Sequence, residues 1–182
     1  MDNIKLLSKY RKKPIAGLSE LQDKPGFSKL NIGLDGIKKI IPHREPFLLV
    51  GEIDSIFVDD NEKIIFGSKI IPNDEPILKG HFPGFPVYPG VLQIEMAGQL
   101  GLCLTYFVEN NTDKISDDAK PVNIQLTKVL GAQFLSPVFP DKKLTIISKM
   151  IEYDSFLATA ISQVICENKV CSVSMAEVVF MD

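Results

Sequence analysis

Apolar side chains cover nearly every face of the stretch from Val91 to Leu104, where Gln93, Glu95 and Gln99 are the only polar residues besides Cys103. A helix with that pattern is enclosed on all sides. It is predicted over residues 89–108, with Pro89 and Gly90 suiting its start and Glu109-Asn110-Asn111 its end. Before it, Ile- and Val-rich runs at 47–58 and 63–71 flank the polar turn Asp59-Asp60-Asn61-Glu62, the pattern of a hairpin, and a short helix is expected at 34–41. After it, four strand-like runs at 122–134, 144–153, 156–166 and 170–180 are separated by Pro, Asp, Asn and Ser clusters. One long apolar helix between β-rich halves predicts an α+β domain in which an antiparallel sheet curls around the helix.

Residues 1–33 do not join this pattern. Pro14, Pro25 and scattered polar residues surround two short helical possibilities, at 4–10 and 18–21, so the segment is read as an extension outside a domain spanning 34–182. Its removal is therefore expected to leave thermal stability nearly unchanged. The first thirty residues carry a balance of +4 within a chain whose net charge is only -3, which argues against nucleic acid as the main partner. A basic arm can instead help to dock an acidic carrier protein, or be a solvated tail.

Hydrophobic residues at 45% and charged residues at 24% describe an ordinary globular chain, with no apolar N-terminal leader and no membrane span uninterrupted by Glu95. The cytoplasm is the expected location. Cys103, Cys166 and Cys171 have no metal-like spacing and there are only two histidines, so reduced thiols and no metal are expected.

The candidate chemistry lies where the helix begins. Three glycines and three prolines between Gly80 and Gly90 pin a loop headed by His81, and Glu95 follows fourteen residues later inside the apolar helix. A buried carboxyl group is costly when charged, and if kept protonated it is a proton donor. An imidazole base and a carboxylic acid are what elimination of water needs. Gln99, one turn after Glu95, shares its face of the helix and is placed to hold the carboxyl group.

The motif His81-Phe-Pro-Gly-x-Pro-Val-x-Pro-Gly-Val-x-x-x-Glu95-x-x-x-Gln99 resembles the signature of the hot-dog fold 3-hydroxyacyl-(acyl carrier protein) dehydratases of type II fatty acid synthesis. Ile41-Pro42-His43-Arg44-Glu45-Pro46-Phe47-Leu48-Leu49-Val50 is similar to that family's opening segment, and Ala132-Gln133-Phe134 with Pro137-Val138-Phe139-Pro140-Asp141 is a weaker third match. The resemblance implies a hot-dog sheet and dehydration of a (3R)-3-hydroxyacyl chain on acyl carrier protein to the trans-2-enoyl thioester, without cofactor. It gives His81 as base, Glu95 as acid and Gly90 as the site of backbone donors to the thioester oxygen; Phe82, Phe85 and Tyr88 would line the acyl path. His43 is read as part of a structural turn. The family pairs into dimers, or trimers of dimers, with each site taking His from one chain and the acid from the other. Glu95 stands where the dehydratase-isomerase branch carries Asp, which implies a dehydratase without isomerase activity. The alternatives left open are a hot-dog acyl thioesterase and a non-catalytic subunit that binds acyl carrier protein.

Overall fold

A computed structural model describes residues 3–181. Seven strands form one antiparallel sheet: β1 (Phe27–Ile32), β2 (Glu52–Val58), β3 (Lys63–Ile70), β4 (Ile124–Phe134), β5 (Lys143–Tyr153), β6 (Leu157–Cys166) and β7 (Lys169–Phe180). Their order across the sheet is β1-β2-β3-β5-β6-β7-β4, so β1 and β4 are its edges. The short helices are α1 (Asn3–Tyr10), α2 (Leu18–Leu21) and α3 (Leu34–Ile40), and α4 (Gly90–Glu109) is the long one. Met96, Leu100, Leu104 and Phe107 of α4 are fully buried against the concave face of the sheet, each contributing about 1.5–3 kcal/mol by leaving water. This is the helix-in-sheet arrangement of the hot-dog fold. Although α4 is long and apolar enough to cross a membrane by length and composition, it is this domain's core helix.

The structure corrects the expectation of burial all round. Val91, Ile94, Glu95, Gly98 and Leu102 follow helical spacing and form a stripe that the single chain leaves partly or wholly open, with Val91 67% exposed. The strand expected from residue 47 begins only at Glu52. Before that point a side chain supplies part of the backbone pairing: Gln99 donates to Phe47 O at 2.8 Å and accepts from Leu49 N at 2.8 Å, where a neighbouring strand would otherwise bond. The edge strand β1 and a 3-10 turn at Pro76–Lys79 had no counterpart in the sequence reading.

The larger correction concerns the arm. Both expected short helices form, but they do not hang outside the fold. Leu7, Tyr10, Ile15 and Leu21 are buried against Phe57, Ile64, Phe66, Ile161, Val173 and Met175 on the convex face of the sheet, and β1 pairs with β2. Strand residues alternate between faces, so Ile64 and Phe66 meet the arm while Ile65 meets the helix side. The buried amide of Gln163 in β6 fixes the arm, accepting from Ile15 N at 2.7 Å and donating to Tyr10 O and to Lys13 O at 2.9 Å. Leu7 lies over Gly131 of β4, where a Cβ would meet its Cδ1 at 2.6 Å and push the Leu7 side chain aside. Removing the arm uncovers an apolar sheet face, and the expectation of unchanged stability falls with that observation.

Candidate active site

Two cavities hold the candidate residues. The first opens at the start of α4 and is lined by His81, Val87, Tyr88, Gly90, Gln93 and Phe134, among others. His81 Nδ1 lies 2.7 Å from Val87 O. A carbonyl only accepts, so Nδ1 carries the proton and Nε2 of the neutral ring keeps its lone pair, the form of a general base. Amides of a helix's first turn have no acceptor within it; Leu92 and Gln93 turn back to Pro89 O, which leaves those of Gly90 and Val91 as donors. With the helix dipole they favour negative charge at that end of the cavity. Packing favours glycine at position 90: a Cβ would lie 2.6 Å from the Phe134 ring, which would have to move.

The second cavity, about 190 Å³, runs between the open stripe of α4 and the sheet. Its lining is mainly small or apolar, including Gly98, Leu102, Met150, Ala160 and Ala176, with Glu95 and His43 as the ionisable groups. Gln99 Nε2 donates to Glu95 Oε1 at 2.8 Å, and His43 Nε2 stands 3.4 Å from the same oxygen. Both donors thus hold Oε1, leaving Oε2 for a reactant. The expectation of a protonated, fully buried carboxyl group needs correction. The Glu95 side chain is 29% exposed, and the hydrogen bond with His43, assisted by Gln99, holds its pKa below the ordinary carboxylate value despite desolvation.

His81 and Glu95 therefore line different cavities of one chain. Of the residues expected to line an acyl path, Tyr88 is buried at the His81 cavity. Phe82 stacks on His81 with ring centroids 4.1 Å apart, and Phe85 packs edge-on against Phe139; both are more than half exposed and line neither cavity. Two residues that the sequence did not mark as functional lie at the site. His43 touches Glu95, and its Nδ1 is buried without a partner; Gln93, 3% exposed, presents an unpartnered Oε1 beside the His81 cavity. The available signal for Gln93 was its place among the few polar residues of an apolar helix. For His43 it was the turn motif, which read as structural.

Residues 41–173 match the family model of the FabA-like domain. The 3-hydroxyacyl-[acyl-carrier-protein] dehydratase FabZ of Campylobacter jejuni is 40% identical over 108 residues, covering 59% of this chain and 69% of the relative. The FabZ of a Nitratiruptor species is 34% identical over 117 residues, 64% of this chain and 76% of the relative. Among solved structures, the dehydratase heterocomplex ApeI:P from Xenorhabdus doucetiae aligns with a TM-score of 0.60 at 16% identity, covering 80% of this chain and 91% of that one. An HP0420 homologue from Helicobacter felis aligns at 0.52 with 10% identity, covering 81% and 88%. At such identities the structural likeness shows the fold alone.

Proposed function

The chain belongs to the FabA-like family, and from that premise we propose that it removes water from (3R)-3-hydroxyacyl chains carried on acyl carrier protein, using His81 as base and Glu95 as acid. His81 Nε2 takes the C2 proton as the electrons move to form the C2–C3 double bond. Glu95 Oε2 gives its proton to the C3 hydroxyl, which leaves as water. The amides of Gly90 and Val91 receive the negative charge that grows on the thioester oxygen. The observation that carries this reading is the pairing of a free imidazole nitrogen with the donor end of α4 in one cavity.

A complete site needs two copies. One chain's His81 and Glu95 face different cavities, the Glu95 stripe of α4 is open, and β4 has an unpaired edge; a homodimer that covers both would bring one chain's histidine to the other's acid. Covering also removes water from the partly exposed Glu95, and that desolvation raises its pKa toward the protonated form the acid role requires. The reading places the protein in the cytoplasm, where it meets its carrier.

Mixing His81→Ala with Glu95→Gln subunits tests the chemistry and the geometry together. Each variant alone is expected to lose about 10²-fold or more in turnover of a crotonyl or 3-hydroxybutyryl thioester, followed by enoyl absorbance. After subunit exchange about half the dimers are mixed, each with one intact site, so roughly a quarter of the wild-type rate should return. Near-normal activity in either single variant would remove the assigned roles, and no recovery after proven exchange would place both groups in one chain. A thioesterase is favoured by one observation, the lowered pKa of Glu95, since a carboxylate can activate water. It predicts thiol release in the same assay.

A further inference from the structure

From Asn3 to Gly17 the chain holds five cations, Lys5, Lys9, Arg11, Lys12 and Lys13, and no anion, leaving -8 on the rest of a protein whose total is -3. All five are exposed. Lys9 lies over the Tyr10 ring at 5.0 Å, and no carboxylate among the described residues pairs with Lys9, Arg11, Lys12 or Lys13. The segment is nevertheless held firmly. Gln163 bonds Tyr10 O, Lys13 O and Ile15 N, so Arg11-Lys12-Lys13 is clamped at both ends with its side chains outward. The clamp fixes where the charges stand, which lowers the ordering cost of meeting a partner.

The register shows where that is. Gln163 of β6 pairs with Val173 of β7, and Val173 pairs with Gln133 of β4, so the clamp lies in the row ending one residue before Phe134. Two strand spacings, about 10 Å, separate Gln163 from β4. Phe134 covers Gly90 and lines the His81 cavity. The clamp, and the cations it fixes, therefore stand about two strand spacings across the sheet from the end of β4, whose last residue, Phe134, lines that cavity. Residues 3–40 lie outside the family match, so this feature belongs to the present chain beyond the shared domain.

We propose that Lys9, Arg11, Lys12 and Lys13 form a docking surface for an acidic acyl carrier protein, orienting it so that its tethered thioester enters beside His81. The inference rests on the dehydratase reading for the identity of the carrier. Complementary charge of this kind acts mainly on encounter and orientation, and weakens with salt.

The test compares one 3-hydroxyacyl group on two handles, acyl carrier protein and N-acetylcysteamine, for the wild type and a K9E/R11E/K12E/K13E variant whose unfolding curve matches the wild type. The variant should show a KM about tenfold or more higher for the carrier-linked substrate at low salt, with kcat and all constants for the small thioester unchanged. The wild-type KM for the carrier should rise with salt, and the variant's should not. Equal constants for both proteins on the carrier, or equal losses on both handles, would overturn the docking surface. Titration of the unacylated carrier separates this from the chemistry: arm-dependent binding without turnover of either substrate keeps the docking surface and sinks the dehydration. Arm-dependent binding to phosphatidylglycerol vesicles, with carrier affinity unaltered by the four substitutions, would assign the charges to a membrane and also overturn it.

Discussion

The two faces of the sheet are covered in opposite ways. On the concave side a single twenty-residue helix packs by its own periodicity and leaves one stripe open, and the site is built along that stripe. On the convex side residues 3–21 cover apolar surface with four separated side chains, are held by one buried amide of β6, and keep their charges outward. Concave packing thus combines stability with chemistry, whereas convex packing separates them: buried residues hold the fold and the exposed ones face solvent.

Deleting residues 1–24 is the most severe challenge to this division. It uncovers Phe57, Ile64, Phe66, Ile161, Val173 and Met175, each about 1.5–3 kcal/mol of buried apolar surface, a sum comparable with the whole stability of a domain, about 5–15 kcal/mol. Loss of a cooperative thermal transition, or aggregation, is expected. A truncated protein melting within a few degrees of the full chain would show that the convex layer is dispensable.

On the concave side Gly90→Ala should separate chemistry from stability. The new Cβ meets the Phe134 ring, which is 54% exposed and can swing away, so melting should fall by only a few degrees. The displaced ring then stands at the donor end of α4. A fall in kcat/KM of about tenfold to a hundredfold is expected, and an unchanged value would remove these amides from the reaction.

The smallest effect concerns pH. In the single chain, before a partner covers the stripe, Glu95 has a folded pKa below its unfolded value, so its stabilising contribution is complete above the ordinary glutamate pKa of about 4.3 and is lost as pH falls through the folded value. Melting temperatures of the wild type and Glu95→Gln, compared at protein concentrations that keep the chain monomeric, should differ most above about pH 5 and converge at lower pH. A difference that grows on acidification would reverse the direction assigned to this group.

The concave layer was legible because a long helix repeats its pattern enough to be recognised, and because His81 and Glu95 sit in a motif of fixed spacing. The convex layer was not, since an arm pinned at Leu7, Tyr10, Ile15 and Leu21 has no single period. Its signature lay in the strands instead. Ile64-Ile65-Phe66 and Ile146-Ile147 are continuous apolar runs, where a sheet with one wet face would alternate. Such runs demand a second cover, and residues 3–21 supply it. Residues 47–51 misled for a related reason: their apolar content is that of a strand, but Gln99 supplies the bonds a strand would have made. The placement of His43 beside Glu95 depends on how residues 41–46 turn, which no periodicity encodes.

The clamp at Gln163 joins residues about 150 positions apart in the chain, so the arm is made well before the strand that holds it. At synthesis rates of about 5–20 residues per second, the arm waits roughly 10–30 s before β6 exists. During that interval Leu7, Tyr10 and Ile15 have no sheet to cover. Five charges of one sign stand among them, and like charges beside exposed apolar residues oppose the association of neighbouring segments.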